Sequence, residues 1–182
     1  MSSTDAPLFV DPVYGLRAWR VVRDGEVERL AGPHQGAPWP TGGAWIEADC
    51  SRSAGHRPPA QGCNCGLHAW HPSRRAAKRV LSGRREIAGV VETRGAVEVH
   101  EDGLRAEQAR PHALVLLPGG NARLVHRLAE AYEARVVEAR GADDVLAFCR
   151  SNGLGLDEST VAGLLGPVTA EASRRTRREK TR

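Results

Sequence analysis

Five residues with metal-binding side chains lie close together in the chain: Cys50, His56, Cys63, Cys65 and His68, spaced C-x5-H-x6-C-x-C-x2-H. Thiolate and imidazole are the usual donors to a four-coordinate zinc ion. In an extended segment, residues i and i+2 share a face, so Cys63 and Cys65 can reach one ion together. Gly66 permits a tight turn directly after them. The intervening loop, with Gly55, Pro58, Pro59 and Gly62, can bring Cys50 and His56 round to complete a tetrahedron. Cys50, His56, Cys63 and Cys65 are therefore the expected ligands, with His68 able to replace His56. The competing reading makes the cysteines small apolar core residues. The Gly/Pro-rich loops around them offer few apolar side chains to hold them in place, which favours the metal.

Three cysteines and a histidine can also hold a [2Fe–2S] or [4Fe–4S] cluster. The C-G-L-H run resembles the C-D-G-x-H end of NEET-type cluster proteins, although the Asp and the spacing between ligand pairs differ. A third possibility is a hydrolytic metal, which needs an open coordination position and a nearby base. The chain lacks both the H-x-E…P-C-x-x-C deaminase pattern and H-E-x-x-H. With four good donors the site is closed. The expectation is a structural zinc in a binding module rather than an enzyme, with a thiolate or iron–sulfur redox sensor as the rival.

Other chemistry-bearing residues have plainer explanations. Cys149, in VLAFC, reads as a buried helix residue and so as an inert thiol. His126 reads as a helix-surface histidine. His100-Glu101-Asp102-Gly103 reads as a hairpin tip, and Leu117-Pro118-Gly119-Gly120-Asn121 as a strand-to-helix turn. Trp19, Trp39, Trp45 and Trp70 read as core and loop anchors. Basic residues gather at Arg74, Arg75, Lys78, Arg79, Arg84 and Arg85, and again at Arg174, Arg175, Arg177, Arg178, Lys180 and Arg182. Such patches can meet phosphates of nucleic acid or an acidic protein, or can simply be solvated faces.

Several of these segments together resemble an uncharacterised, largely actinobacterial protein family. They are YGLRAWRVV, the Trp45–Cys50 stretch, His56-Arg57-Pro58-Pro59 through C-x-C-G-L-H-A, and GVVETRGAVEVHEDGLRAEQARP. The resemblance covers about residues 14–117, with a weaker match in LAEAYEARVV. It implies the ligand set Cys50, His56, Cys63 and Cys65 and no activity. Relatives often carry Tyr at the place of His68, which lowers His68 as a ligand.

The elements that must position these residues follow from patterning. The chain has 182 residues, is 41% apolar and carries a net charge of +4. No apolar run approaches the ~20 residues needed to span a bilayer. MSSTDAPLF lacks the basic and apolar regions of a secretory signal. A cytoplasmic, reducing environment is therefore expected, in which clustered cysteines bind metal rather than pair as disulfides.

YGLRAWRVV and EVERL read as a hairpin around Asp24-Gly25. AWIEADC reads as a short strand ending on Cys50, and 72–83 as a helix. Residues 86–100 read as two strands or one bent strand, 104–109 as a return strand and 111–117 as a separate buried strand. Helices are expected over 121–134, 143–153 and 157–166, with a strand at 135–139. The fold class is α+β. A small twisted or barrel-like β domain (13–117) carries the metal and is followed by a helical or α/β segment (118–166). Residues 1–12 are expected to be a flexible N-terminus and 167–182 a basic disordered tail. That tail accounts for the whole net charge.

Overall fold

The computed structural model describes residues 12–33, 37–52, 55–83 and 86–165. Residues 1–11, Arg84, Arg85 and the tail from 166 onward lie outside the described residues, and with them the expectations placed there. The fold is α+β. Among the described residues, seven strands form one mixed sheet, and four helices accompany it.

β1 (Val13–Asp24) and β2 (Val27–Ala31) form the expected hairpin. Asp24 pairs with Val27, which leaves Gly25-Glu26 as a two-residue loop. β3 is shorter than expected, only Ile46–Glu47. One further bond, Ala48 N–H to the Glu107 carbonyl at 2.7 Å, continues its ladder toward Cys50. β4 (Leu67–Trp70) follows the C-x-C segment. α1 (Arg74–Leu81) begins at Ser73, whose hydroxyl accepts from the Ala76 amide and so satisfies one of the orphan donors of the first turn.

Residues 86–99 form one bent strand, β5 (Glu86–Val99). The two stretches expected as separate strands after it are a single strand, β6 (Gly103–Leu116), which runs straight through Pro111. The sheet tolerates that proline because the register between β5 and β6 shifts there: Val90 faces Ala113 and Val91 faces Pro111, leaving His112 as the extra residue. On its other side Pro111 falls between the ladders to β3 and β7, where no donor is required of it. α2 (Ala122–Ala131) is capped by Asn121. It returns the chain to β7 (Arg135–Glu138), which pairs parallel with β6. α3 (Ala142–Ser151) and α4 (Glu158–Leu165) complete the described chain.

β6 is the common member of the sheet, pairing with β3, β4, β5 and β7. β1 pairs with β5 along eight residues and with β4 through Leu16 and Trp70 alone. The strands β1, β5, β6 and β4 therefore make only a partial ring. Apolar side chains on the two faces of the sheet form two cores. One contains Trp19, Leu30, Trp39, Leu104, Leu114, Leu128 and Tyr132, with α2 and Val161 of α4. The other contains Leu16, Ala77, Val80, Val90, Val145, Leu146 and Cys149, with α1 and α3. Trp19 and Trp39 meet edge to face at 5.6 Å. The buried Tyr132 hydroxyl accepts from the Leu30 amide at 2.9 Å and donates to the Trp39 carbonyl at 3.1 Å. That hydroxyl ties α2 to the front loop.

Candidate metal centre

The C-x-C segment lies in a bend between a buried pair of prolines and β4. Pro58 and Pro59 are buried and joined by a cis peptide bond. The Cys63 amide donates to the Ala60 carbonyl at 3.1 Å. Gly66 turns the chain into β4 with φ +117°, in the region where glycine is favoured. A Cβ on Gly66 would stand 3.1 Å from the Arg105 Cβ and 3.3 Å from the Pro59 Cβ. Cys50 is delivered three residues after β3, and His56 lies in the loop between them.

The donor atoms of Cys50, His56, Cys63 and Cys65 all lie within 4.8 Å of one another. Cys50 Sγ and Cys63 Sγ are 3.7 Å apart, and His56 Nε2 is 3.2 Å from Cys65 Sγ. All three cysteines are free and half-buried. A tetrahedral ion with arms of about 2.3 Å to sulfur places neighbouring sulfurs about 3.8 Å apart. The spacing is therefore that of donors around one ion and well beyond a disulfide bond. The group can hold a metal ion.

His68 is outside this group. Strand alternation explains why: Leu67 and Ala69 are buried, so the residue between them faces out. Its Nε2 lies 3.1 Å from the Asn64 carbonyl. Burial of part of the ring holds its pKa below the ordinary value.

The thiols differ in acidity. The Cys63 thiol is lowered from 9.0 to about 7, first by the Cys65 backbone amide and then by side-chain hydrogen bonds from Cys65, Cys50 and His56. Burial raises the Cys65 thiol above its ordinary value. Cys63 is thus more easily converted than Cys65 to the thiolate that a metal needs.

Behind the group stands Arg105 of β6, which patterning of the sequence does not single out. It is buried. Its Nη1 donates to the Cys65 carbonyl at 3.1 Å and to the Cys63 carbonyl, and its Nη2 pairs with Glu98 at 2.5 Å. Its Nε donates to His100 Nε2 at 3.1 Å. One guanidinium therefore holds both carbonyls of the C-x-C segment, the kind of outer support that fixes metal ligands. Its sequence signal is its place in the GLRAEQARP stretch of the family resemblance, and in the sheet it pairs with His68 on the strand leaving the site.

The other candidates fall where their plainer readings put them. Cys149 is buried in the second core, and burial pushes its thiol up to about 11. His126 is exposed on α2. His100 and Gly103 close the hairpin tip, with the His100 amide donating to the Gly103 carbonyl at 2.7 Å. Asn121 caps α2, its Oδ1 accepting from the Leu124 amide at 3.0 Å.

Of the basic helix, Arg74, Arg75, Lys78 and Arg79 are exposed. Arg74 is spent on Asp143 of α3 at 3.1 Å, and Arg79 lies 4.6 Å over the Trp70 ring. Trp45 is flanked by Arg94 and Arg110 at 4.0 and 4.7 Å. No helix among the described residues is long and apolar enough to cross a membrane. No protein-family model, curated protein sequence or solved structure matches the chain.

Proposed function

We propose that Cys50, His56, Cys63 and Cys65 hold one zinc ion in a closed structural site. We further propose that the domain so fastened is a cytoplasmic binding module of the actinobacterial family it resembles. The observation that carries this reading is the packing of four soft donors within 4.8 Å. An iron–sulfur cluster sets two or more irons and their bridging sulfides between its ligands, and so needs donors further apart than donors sharing one ion. Four protein donors leave no open position for water, which argues against hydrolysis. Zinc bound in this way supplies folding free energy that the Gly/Pro loops cannot, since the ligands come from segments with few apolar side chains.

The partner is nucleic acid or an acidic protein, met by the exposed basic face of α1 (Arg75, Lys78 and Arg79) together with Arg84, Arg85 and the basic tail. Elemental analysis of freshly purified protein tests the metal. One equivalent of zinc in a colourless protein is expected, and Cys63→Ser or Cys65→Ser should reduce it while His68→Ala does not. A brown protein with visible absorbance, or a metal-free protein of undiminished stability, refutes the reading.

A further inference from the structure

A cleft of about 1030 Å³ runs from the cysteine group along β4 to α1. Cys50, Cys63 and Cys65 lie at one end, and Arg17 of β1, Arg79 of α1 and Arg105 of β6 contribute cations to its walls. Arg105 is already spent on Glu98, His100 and two carbonyls.

Arg17 is different. Its Nη1 donates to the His68 carbonyl and its guanidinium lies 5.0 Å from the Trp39 ring centre, yet its buried Nε has no hydrogen-bond partner among the described residues. None of the ion pairs among the described residues includes it. Desolvation pulls its pKa below the ordinary arginine value, to about 10, so it remains charged at neutral pH.

The Arg17 side chain is half-buried with its Nε fully covered, and a partly desolvated cation without a counter-charge among the described residues is costly; an anion entering the cleft relieves that cost. Asp49, Glu86 and Asp102 also line the cleft. Asp49 and Asp102 are exposed, so water and salt screen them, while Glu86 is half-buried and is the one of the three that is less screened. At the mouth, Arg79 is held against Trp70, and Arg52 adds a further guanidinium. Several guanidinium forks around one space suit an anion with more than one charge and several oxygens better than a single carboxylate.

We propose that this cleft binds the phosphomonoester group of a phosphorylated ligand, gripped by Arg17 from within and by Arg79 from the mouth. The group can belong to a free mononucleotide or to the phosphorylated end of a nucleic-acid strand. The site rests on the proposed module in that the C-x-C segment forms one wall.

The test uses the full chain with its metal content measured in every sample. Adenosine 5′-monophosphate is titrated against adenosine, and a 5′-phosphorylated oligonucleotide against its 5′-hydroxyl form, with tryptophan fluorescence and thermal shift as readouts. The phosphorylated member of each pair should bind. Arg17→Met should weaken it by about tenfold or more, and Arg123→Ala, on α2, should change nothing. A phosphorylated strand that binds tighter than the mononucleotide identifies a strand end as the source, and equal affinity identifies the free ligand.

Equal binding of phosphorylated and unphosphorylated probes overturns the proposal, as does a folded Arg17→Met protein of unchanged affinity. Should Arg17→Met fail to unfold cooperatively, Arg79→Met takes its place: a several-fold loss upholds the cleft and unchanged affinity overturns it. Phosphate binding by a metal-poor sample upholds the cleft and counts against the metal reading. A metal-loaded sample that ignores phosphate overturns the cleft alone.

Discussion

Replacing Gly66 by alanine probes the turn that aims the C-x-C segment at Cys50 and His56. Two costs are legible. The backbone sits at φ +117°, which an L side chain adopts only with strain of about 1–3 kcal/mol. The new methyl would also press on the Arg105 and Pro59 Cβ atoms, at 3.1 and 3.3 Å. Neither neighbour can easily give, since Arg105 is fixed by its bonds to Glu98 and the Cys65 carbonyl and Pro59 is buried.

Gly62 supplies the control. It also has a positive φ, +77°, but nothing lies within 4 Å of a Cβ placed there. Gly62→Ala should therefore cost about 1–2 kcal/mol from backbone strain alone. Gly66→Ala should cost about 3 kcal/mol once crowding of the order of 1 kcal/mol is added. For a chain of this size the difference corresponds to roughly 2–4 °C in Tm per kcal/mol. Urea unfolding of the metal-loaded proteins measures the stabilities, and competition with a chelator measures metal retention. Gly66→Ala should release its metal at lower chelator concentration than Gly62→Ala. Equal stability and equal retention in the two variants would refute the crowding argument.

Two further perturbations follow from the same contacts. In metal-free protein the Cys63 thiol, lowered to about 7, should be alkylated by iodoacetamide with a half-maximal rate near pH 7, while Cys149 stays unmodified; a midpoint near the ordinary value of 9.0 would count against the hydrogen bonds assigned to Cys63. Because the folded value lies below the ordinary one, the stability this thiolate adds to the metal-free fold is complete above about 9 and is lost as pH falls through about 7. Tyr132→Phe removes the acceptor of the buried Leu30 amide and should cost about 2 kcal/mol in urea unfolding; a loss below about 0.5 kcal/mol would show that the amide finds another partner.

Local rules carried much of this fold. The Asp24-Gly25 hairpin, the Ser73 and Asn121 caps and the Leu128/Tyr132 face of α2 are all set by residues near one another in the chain. The Cys and His spacing by itself points to the donor group. What local patterning missed depends on partners distant in sequence. Pro111 marks a strand end by itself and does so wrongly here, because the break it needs is supplied by a register shift against β5. The choice between His56 and His68 depends on which face of β4 packs against the core. Arg17 and Arg105 look like ordinary strand-surface arginines. Arg105 is buried and Arg17 half-buried against partners distant in sequence, and no period in the sequence reports it.

β6 has an uneven division of labour. Its residues 103–106 hold the strand that leaves the cysteines, while residues 113–116 hold β7 in the rear half. The cysteine loop hangs from this beam through β4, β3 and the Arg105 guanidinium, whereas the rear half rests on two cores that contain none of the donor residues. Removing a metal from the proposed site should consequently unlatch a panel rather than collapse the building. Amides from about 50 to 66 would exchange with solvent early, and those of β6 beyond Pro111 and of α3 late, as two units of unequal endurance on one shared strand.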